Sequence, residues 1–228
     1  IRECDAVMQV VRCFGGEKVV REGAVDPVAD AEFIEMELAL ADLDTARKAA
    51  DRTAKKARSG DKEALETQEV CAKAAALLER GQPARAGAWT AREAAALKPV
   101  CLMTMKPMLY VVNVSETQLA DGSWKERVTN LKGRLVPVCV KLEADLTNMA
   151  PEEKKEYLAM ANQTESGLDR LIQEAYDVLG LLTFFTSGAD EARAWTVTKG
   201  ASAPQAAGKI HTDFEKNFIR AEVTNWKD

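Results

Sequence analysis

The chain has 228 residues, of which 46% are hydrophobic and 29% charged, an ordinary composition for a globular protein. It carries 31 Lys and Arg against 36 Asp and Glu, so its net charge of −5 argues against a polycation that wraps nucleic acid. No apolar run approaches the ~20 residues that span a bilayer. Five cysteines without a CxxC pair favour free thiols over a zinc site or disulfide framework. We therefore expect a cytoplasmic protein without membrane or DNA partners.

Three short apolar segments predict buried strands of a parallel sheet, at residues 6–14, 108–112 and 135–140. The third contains Pro137, which indicates an edge strand or a bulge. Helical segments lie between these strands, as in an α/β domain. Residues 182–186 and 192–198, on either side of Ser187-Gly188, predict two more strands that begin a small α+β module.

A long helical hairpin is predicted between the first two strands. Asp26-Pro27 is a helix start, residues 28–58 contain no Gly or Pro, and Ser59-Gly60 ends the helix. A second helix over about 61–80 follows, so the pair forms an antiparallel, coiled-coil-like hairpin. The spacing of large apolar side chains predicts the buried stripe of the first helix: Ile34, Met36, Leu38, Leu40, Ala41 and Leu43. Shorter helices are predicted after Thr90 and at about 151–160 and 167–179.

Polar residues follow the second predicted strand directly, as Asn113-Val114-Ser115-Glu116. Ligands of open α/β sheets collect at the carboxyl ends of strands, so these residues are candidates for a binding site. The simpler alternative is that Asn113 caps a turn.

A basic segment lies at the tip of the predicted hairpin. Seven cations fall between residues 47 and 62, opposed only by Asp51 and Asp61. Such a tip suits RNA phosphates. The alternative is a solvated helix end whose cations complement the helix dipole. The cations are Arg47, Lys48, Arg52, Lys55, Lys56, Arg58 and Lys62.

Other motifs favour structural roles. Asp177 to Gly180 spells DxxG, yet Gly180 is better explained as a helix C-cap. His211, the single histidine, is expected to bond to backbone. The phosphate-binding motif GxxxxGK[ST] does not occur in the sequence.

Several segments together resemble the Obg-like ATPases, the YchF family: residues 200–216, 11–14, 37–45, 102–116 and 184–195. The resemblance covers essentially the whole chain. It implies part of a P-loop NTPase sheet with an inserted coiled-coil hairpin, followed by the start of a β-grasp (TGS) domain. The corresponding ranges are 1–28 and 99–181 for the C-terminal part of the NTPase domain, 29–98 for the insertion, and 182–228 for an incomplete TGS domain.

The resemblance also implies a function, namely a ribosome-associated ATPase that uses ATP and Mg²⁺ in translation or stress control. Asn113 then contacts the base, Val114 packs on it or meets it through backbone, and Glu116 marks a preference for ATP over GTP. By the same resemblance, Cys139-Val140-Lys141 corresponds to the last loop on the base side.

The sequence departs from the family pattern. The part carrying the P-loop and switches is missing, so no catalytic residue is assigned and little hydrolysis is expected from this chain alone. Val20 stands at the apparent position of a histidine that relatives use in hydrolysis. The alternatives are a non-catalytic ribosome- or RNA-binding module, with contacts from Arg52, Lys55, Lys56 and Arg58, or a structural piece without activity.

Overall fold

The computed structural model describes residues 1–15, 25–188 and 191–225. Its contacts divide the chain into two compact units, Ile1–Leu171 and Ile172–Asp228. The predicted domain limits, including the boundary at 181/182, stay predictions beside this division. No helix among the described residues is both long and apolar enough to cross a membrane.

The first unit contains a three-stranded parallel sheet in the order β1 (Val7–Arg12), β2 (Met108–Asn113) and β3 (Arg134–Val138). The first five residues of β2 are buried, as expected for the central strand of a sheet covered on both faces. The pairing places Arg12, Asn113 and Val138 side by side at the carboxyl edge. The predicted fold class, α/β with a helical hairpin and a small second sheet, is confirmed.

The outer strands differ from the prediction. In β1 the side chains alternate, and Met8 and Val10 are 54% and 65% exposed because, within the described residues, one face of this strand is left uncovered. The third strand ends at Val138, and Val140 already belongs to the next helix. Pro137 is accommodated because β3 pairs only with β2 among the described strands and is thus an edge strand.

The hairpin consists of α1 (Pro27–Arg58) and α2 (Lys62–Leu78). Each helix begins with an aspartate cap: Asp26 accepts from the backbone N–H of Val28 at 3.0 Å, and Asp61 accepts from that of Glu63 at 3.0 Å. Gly60 takes φ of +88° in the turn. The sequence therefore fixes both helix starts and the turn between them.

The buried stripe of α1 was predicted only in part. Leu38 and Leu43 pack against the core as predicted, but Ile34, Met36 and Leu40 are exposed. The fully buried apolar positions of the helix are mainly alanines. Small side chains bring the two helix backbones close together, and Ala46 and Ala49 pack with Cys71 and Ala74 of α2.

A buried carboxylate ties the hairpin to the segment that leads into β2. Asp42 in α1 is 0% exposed and accepts from the N–H of Met103 at 3.0 Å and from the N–H and hydroxyl of Thr104 at 2.6 and 2.8 Å. Arg2 donates to the same carboxylate at 3.3 Å and to the hydroxyl of Thr45 at 2.9 Å. All these bonds join residues at least 40 positions apart in the sequence.

The remaining helices of the first unit are short. The capping box predicted at Thr90 opens α3 (Ala91–Leu97), with Glu93 as its second member. Three 3-10 turns, at Ala84–Ala86, Lys98–Val100 and Met103–Met105, flank it. Beyond β2 come α4 (Glu116–Asp121), α5 (Trp124–Arg127), α6 (Val140–Leu146), α7 (Pro151–Met160) and α8 (Gly167–Val178), the last of which extends into the second unit.

The second unit pairs β4 (Leu181–Ser187) with β5 (Ala192–Thr198) in an antiparallel hairpin, followed by α9 (Ala203–Ile210) and α10 (Thr212–Lys216). Both strands were predicted. The β-grasp identity of this unit stays a prediction.

Candidate functional site

Asn113 lies at the carboxyl end of β2, where the first candidate site was predicted. Its backbone carbonyl accepts from the N–H of Cys13 at 2.9 Å, beyond the end of β1. Its side-chain Oδ1 lies 3.5 Å from the N–H of Val140, at the start of α6. Asn113 therefore bridges the turns that follow all three strands.

Val114 serves the hydrophobic core. Its side chain is 1% exposed, and its N–H donates to the carbonyl of Val138 at 3.0 Å. The side chain of Val114 therefore lies inside the protein and does not line an exposed surface. Its predicted contact with a base stays a prediction, and the buried side chain favours the backbone form of that contact.

Glu116 is held at the start of α4 by a capping box. The hydroxyl of Ser115 accepts from the N–H of Gln118 at 3.2 Å, and the side chain of Gln118 accepts from the N–H of Ser115 at 3.1 Å. The amide of Gln118 also donates to the carbonyl of Cys13 at 3.1 Å. These bonds fix the turn between β2 and α4, so Glu116 projects from a defined backbone.

The carboxylate of Glu116 lies 3.0 Å from the ammonium of Lys141 in α6. The hydrogen bond and then the negative charge of Glu116 raise the pKa of Lys141. Lys141 stands two residues after Cys139 and was not assigned as a site residue from sequence. The position of Lys141 in the predicted loop on the base side was the sequence signal that could have identified it.

Cys139 precedes α6 and is 2% exposed. Its carbonyl accepts from the N–H of Glu143 at 3.0 Å, and its side chain packs in the core around β2. The structure therefore brings Cys139 close to the Asn113 turn but leaves its thiol buried.

A tyrosine and a second carboxylate border the Glu116–Lys141 pair. The hydroxyl of Tyr157 in α7 donates to Asp145 at 3.4 Å. Desolvation raises the pKa of Tyr157, and the charges of Asp145 and Glu116 add to this. Neither residue carried a recognisable motif in the sequence.

Two clefts lie away from this turn. One of about 630 Å³ runs between β1 and the first turns of α1, lined by Gln9, Val10, Phe33 and Ile34 among others. Another of about 590 Å³ lies in the second unit around Tyr176 and Lys199. The Asn113–Glu116 turn borders neither cleft, so only its position at the sheet edge marks it as a site.

The basic tip of the hairpin is exposed as predicted. Arg52, Lys55, Lys56 and Arg58 all lie on the surface of the last two turns of α1. Among the described residues, acidic partners are found instead for Arg47 and Lys48 further back, which pair with Glu79 at 2.6 Å and Asp44 at 2.7 Å. The four predicted contact residues therefore retain positive charge at the turn.

The structural roles predicted for the other motifs are confirmed. Gly180 takes φ of +60° two residues after α8 ends at Val178. The Nδ1 atom of His211 accepts from the backbone N–H of Asp213 at 3.2 Å and so caps α10. Val20 falls outside the described residues. Within the described ranges, no cluster of His, Cys, Asp and Glu is arranged to hold a metal ion.

Comparison with known proteins gives matches over the whole chain. It is 42% identical over 233 residues to "Ribosome-binding ATPase YchF" of Escherichia coli O157:H7 and 41% identical over 236 residues to the protein of the same name of Bacillus subtilis. Each match covers 100% of this chain and 64% of the relative. "Obg-like ATPase 1" of Saccharomyces cerevisiae is 37% identical over 243 residues, covering 100% of this chain and 61% of that protein. The chain thus spans less than two thirds of the length of these relatives.

Family and structure comparisons agree with this. The protein-family model "YchF-GTPase_C: Protein of unknown function (DUF933)" matches residues 181–228 of the chain. The solved structure of the Schizosaccharomyces pombe YchF GTPase superposes with a TM-score of 0.81 at 36% identity, covering 96% of this chain and 61% of that one.

A parallel α/β sheet with an inserted helical hairpin and an Asn-x-x-Glu turn at its carboxyl edge places the chain among proteins with a GTPase-like nucleotide-binding fold. The resemblance found in the sequence is confirmed, because the relatives align over its full length. The chain belongs to the YchF family of Obg-like ATPases.

Proposed function

We propose that this chain carries the base-recognition half of a ribosome-associated P-loop ATPase of the YchF type. The intact protein would bind ATP with Mg²⁺, hydrolyse it in preference to GTP, and act in translation or stress control. A ribosomal partner would place it in the cytoplasm. The observation that carries the proposal is the Asn113–Glu116 turn at the end of β2, beside the start of α6.

The preference for ATP follows from the chemistry of that turn. Ordinary GTPases use Asn-Lys-x-Asp, whose aspartate accepts from guanine N1–H and the 2-amino group. Here Val114 replaces the lysine and Glu116 the aspartate. Adenine lacks both donors and its N1 is an acceptor, so a carboxylate in the GTPase position gains nothing from it. The names of the relatives include both "ATPase" and "GTPase", so the base preference is the first point to test.

The test is a titration of the isotope-labelled chain with AMP and GMP, followed by NMR. We expect AMP to shift the amides of Asn113 and Glu116 at millimolar concentration, and GMP to shift them less. An Asn113→Ala variant should lose the AMP response. Preferential binding of GMP, or no response to either nucleotide, would contradict the assignment.

Hydrolysis by this chain alone should be slight. Catalysis of phosphoryl transfer depends on positioning and charge stabilisation by a phosphate-binding loop and Mg²⁺, and the sequence contains no GxxxxGK[ST]. Purified chain should therefore release phosphate from Mg-ATP at a rate indistinguishable from the buffer blank. Robust turnover that follows the protein through purification would refute this.

The exposed basic tip favours a second candidate, a non-catalytic module that docks on ribosomal RNA. Its cations at Lys55, Lys56 and Arg58 stand at the end of α1 without acidic partners among the described residues. Binding by the tip would release counterions from RNA phosphates and weaken with salt.

Reversal of Arg52, Lys55 and Lys56 to Glu should weaken co-sedimentation with ribosomes and flatten its dependence on salt, by a slope change of about 2. The charge-matched control reverses three exposed lysines elsewhere, Lys98, Lys132 and Lys155. Equal binding by the two triple variants would remove the tip from the proposal. Ribosome binding that needs no nucleotide would favour the non-catalytic module.

A further inference from the structure

The Glu116–Lys141 ion pair joins the two turns that flank the Asn113 side chain. Glu116 is the first residue of α4 and Lys141 the second residue of α6. Their charged atoms lie 3.0 Å apart, with side chains 47% and 74% exposed. Among the described residues, Asp145 and Tyr157 are the other titratable groups that act on Lys141. The pair is therefore an accessible bridge over the edge of the sheet.

We propose that Lys141 is a specificity-determining residue, which turns the Glu116 carboxylate away from guanine and offers adenine a hydrogen-bond donor instead. The inference rests on the proposed function, since it concerns the base that the Asn113 turn receives. It adds a residue outside the Asn113–Glu116 motif.

The two purine bases present different hydrogen-bonding groups at the edge that faces the turn. Guanine presents donors at N1 and at the 2-amino group, and these seek a carboxylate with free lone pairs. Glu116 accepts from Lys141, so part of its acceptor capacity and its net charge are already used. The ammonium itself carries only donors, which oppose the guanine edge and complement the acceptor N1 of adenine.

The length of the glutamate is part of this arrangement. Aspartate is one methylene shorter, and its carboxylate would stay closer to the turn that carries it. Glu116 instead extends from the capped start of α4 as far as α6. The hydrogen bond with Glu116 also raises the pKa of Lys141, so the ammonium stays charged throughout the neutral pH range.

The experiment compares the ratio of AMP to GMP affinity, measured by NMR titration, in the wild-type chain and in variants. Lys141→Met removes the ammonium but keeps the length of the side chain. We expect the preference for AMP to fall two- to fivefold, the size appropriate to an exposed ion pair. Lys141→Glu adds acceptors and should lower the ratio further, towards or past equality.

Lys132→Met is the matched control. Lys132 is exposed and lies before β3, at the opposite end of that strand. It should leave the ratio unchanged. Far-UV circular dichroism of the variants verifies that they are folded, which the exposure of both lysines favours.

The outcomes distinguish a failure of the role proposed for Lys141 from a failure of the proposed function. If the wild-type chain prefers AMP and both Lys141 variants keep the same ratio, the role of Lys141 is refuted while the proposed function stands. If the wild-type chain shows no preference for AMP, the proposed function fails first and the inference with it. A fall in the ratio for Lys141→Met but not for Lys132→Met supports the proposal.

Discussion

Replacement of Asp42 by alanine should destabilise the first unit strongly. The substitution leaves the N–H groups of Met103 and Thr104 in the interior without the acceptor that now lies 3.0 and 2.6 Å away. The Thr104 hydroxyl can rotate, and Arg2 is exposed enough to turn towards water. Each of the two orphaned buried donors costs about 1–3 kcal/mol. We therefore expect a loss of about 2–6 kcal/mol in the free energy of unfolding.

Asp42→Asn separates the effect of hydrogen bonding from that of shape. One oxygen can still accept from Met103, but an amide NH₂ group then faces the N–H of Thr104, donor against donor. The expected loss is about 2 kcal/mol. Asp44→Asn, two residues along the same helix, removes an exposed i,i+4 pair with Lys48 and should cost at most about 0.5 kcal/mol.

Urea unfolding followed by far-UV circular dichroism measures all three variants, because α1 and α2 make up much of the helical signal. An Asp42→Ala protein within about 1 kcal/mol of the wild type would refute the reasoning. It would mean that water satisfies the orphaned groups and that the carboxylate is not needed to hold the hairpin base.

Three further predictions test other parts of the first unit. The hydrogen bonds of Glu93 with Lys73 and with the α3 cap lower the pKa of Glu93 from 4.5 to about 2. The stability that these bonds provide is therefore full above pH 4.5 and is lost as the pH falls towards 2. In thermal melts across that range, the melting temperature of Glu93→Gln should converge with that of the wild type only at acid pH. Gly87→Ala would place a Cβ 2.7 Å from atoms of Leu77 and Trp89 and should cost about 1–3 kcal/mol in urea unfolding, whereas an unchanged midpoint would show that these side chains move freely. Native protein should react rapidly with Ellman's reagent at only two thiols, the exposed Cys4 and Cys101, and slowly at the buried Cys13, Cys71 and Cys139. Burial also raises the pKa of Cys13 and of Cys71, which lowers their thiolate fraction. Mass spectrometry locates the label.

Local signals were sufficient for most of the secondary structure. Aspartate caps, the Gly60 turn and the run of apolar residues in β2 act within a few positions, and each was visible in the sequence. The helix that begins at Val140 was missed because valine also favours strands, so no local signal showed that the pairing of β3 ends before this residue.

The features that could not be predicted from the sequence depend on contacts between elements that are distant along the chain. The buried face of α1 depends on which residues of α2 approach it, and the close approach of alanines overrode the spacing of Ile34, Met36 and Leu40. In the same way the Asn113 turn was visible as a motif. Its contact with Val140 and the Glu116–Lys141 pair both depend on the β2–β3 register, which no short pattern encodes.

The bonds of Asp42 close a loop of 61 residues between α1 and Met103 with a single side chain. The hydroxyl of Thr104 also accepts from the N–H of Ala84, six residues after the end of α2, so both helices of the hairpin are held at one point. We therefore expect the outer part of the hairpin to tolerate changes in length or charge while β1 and β2 keep their register.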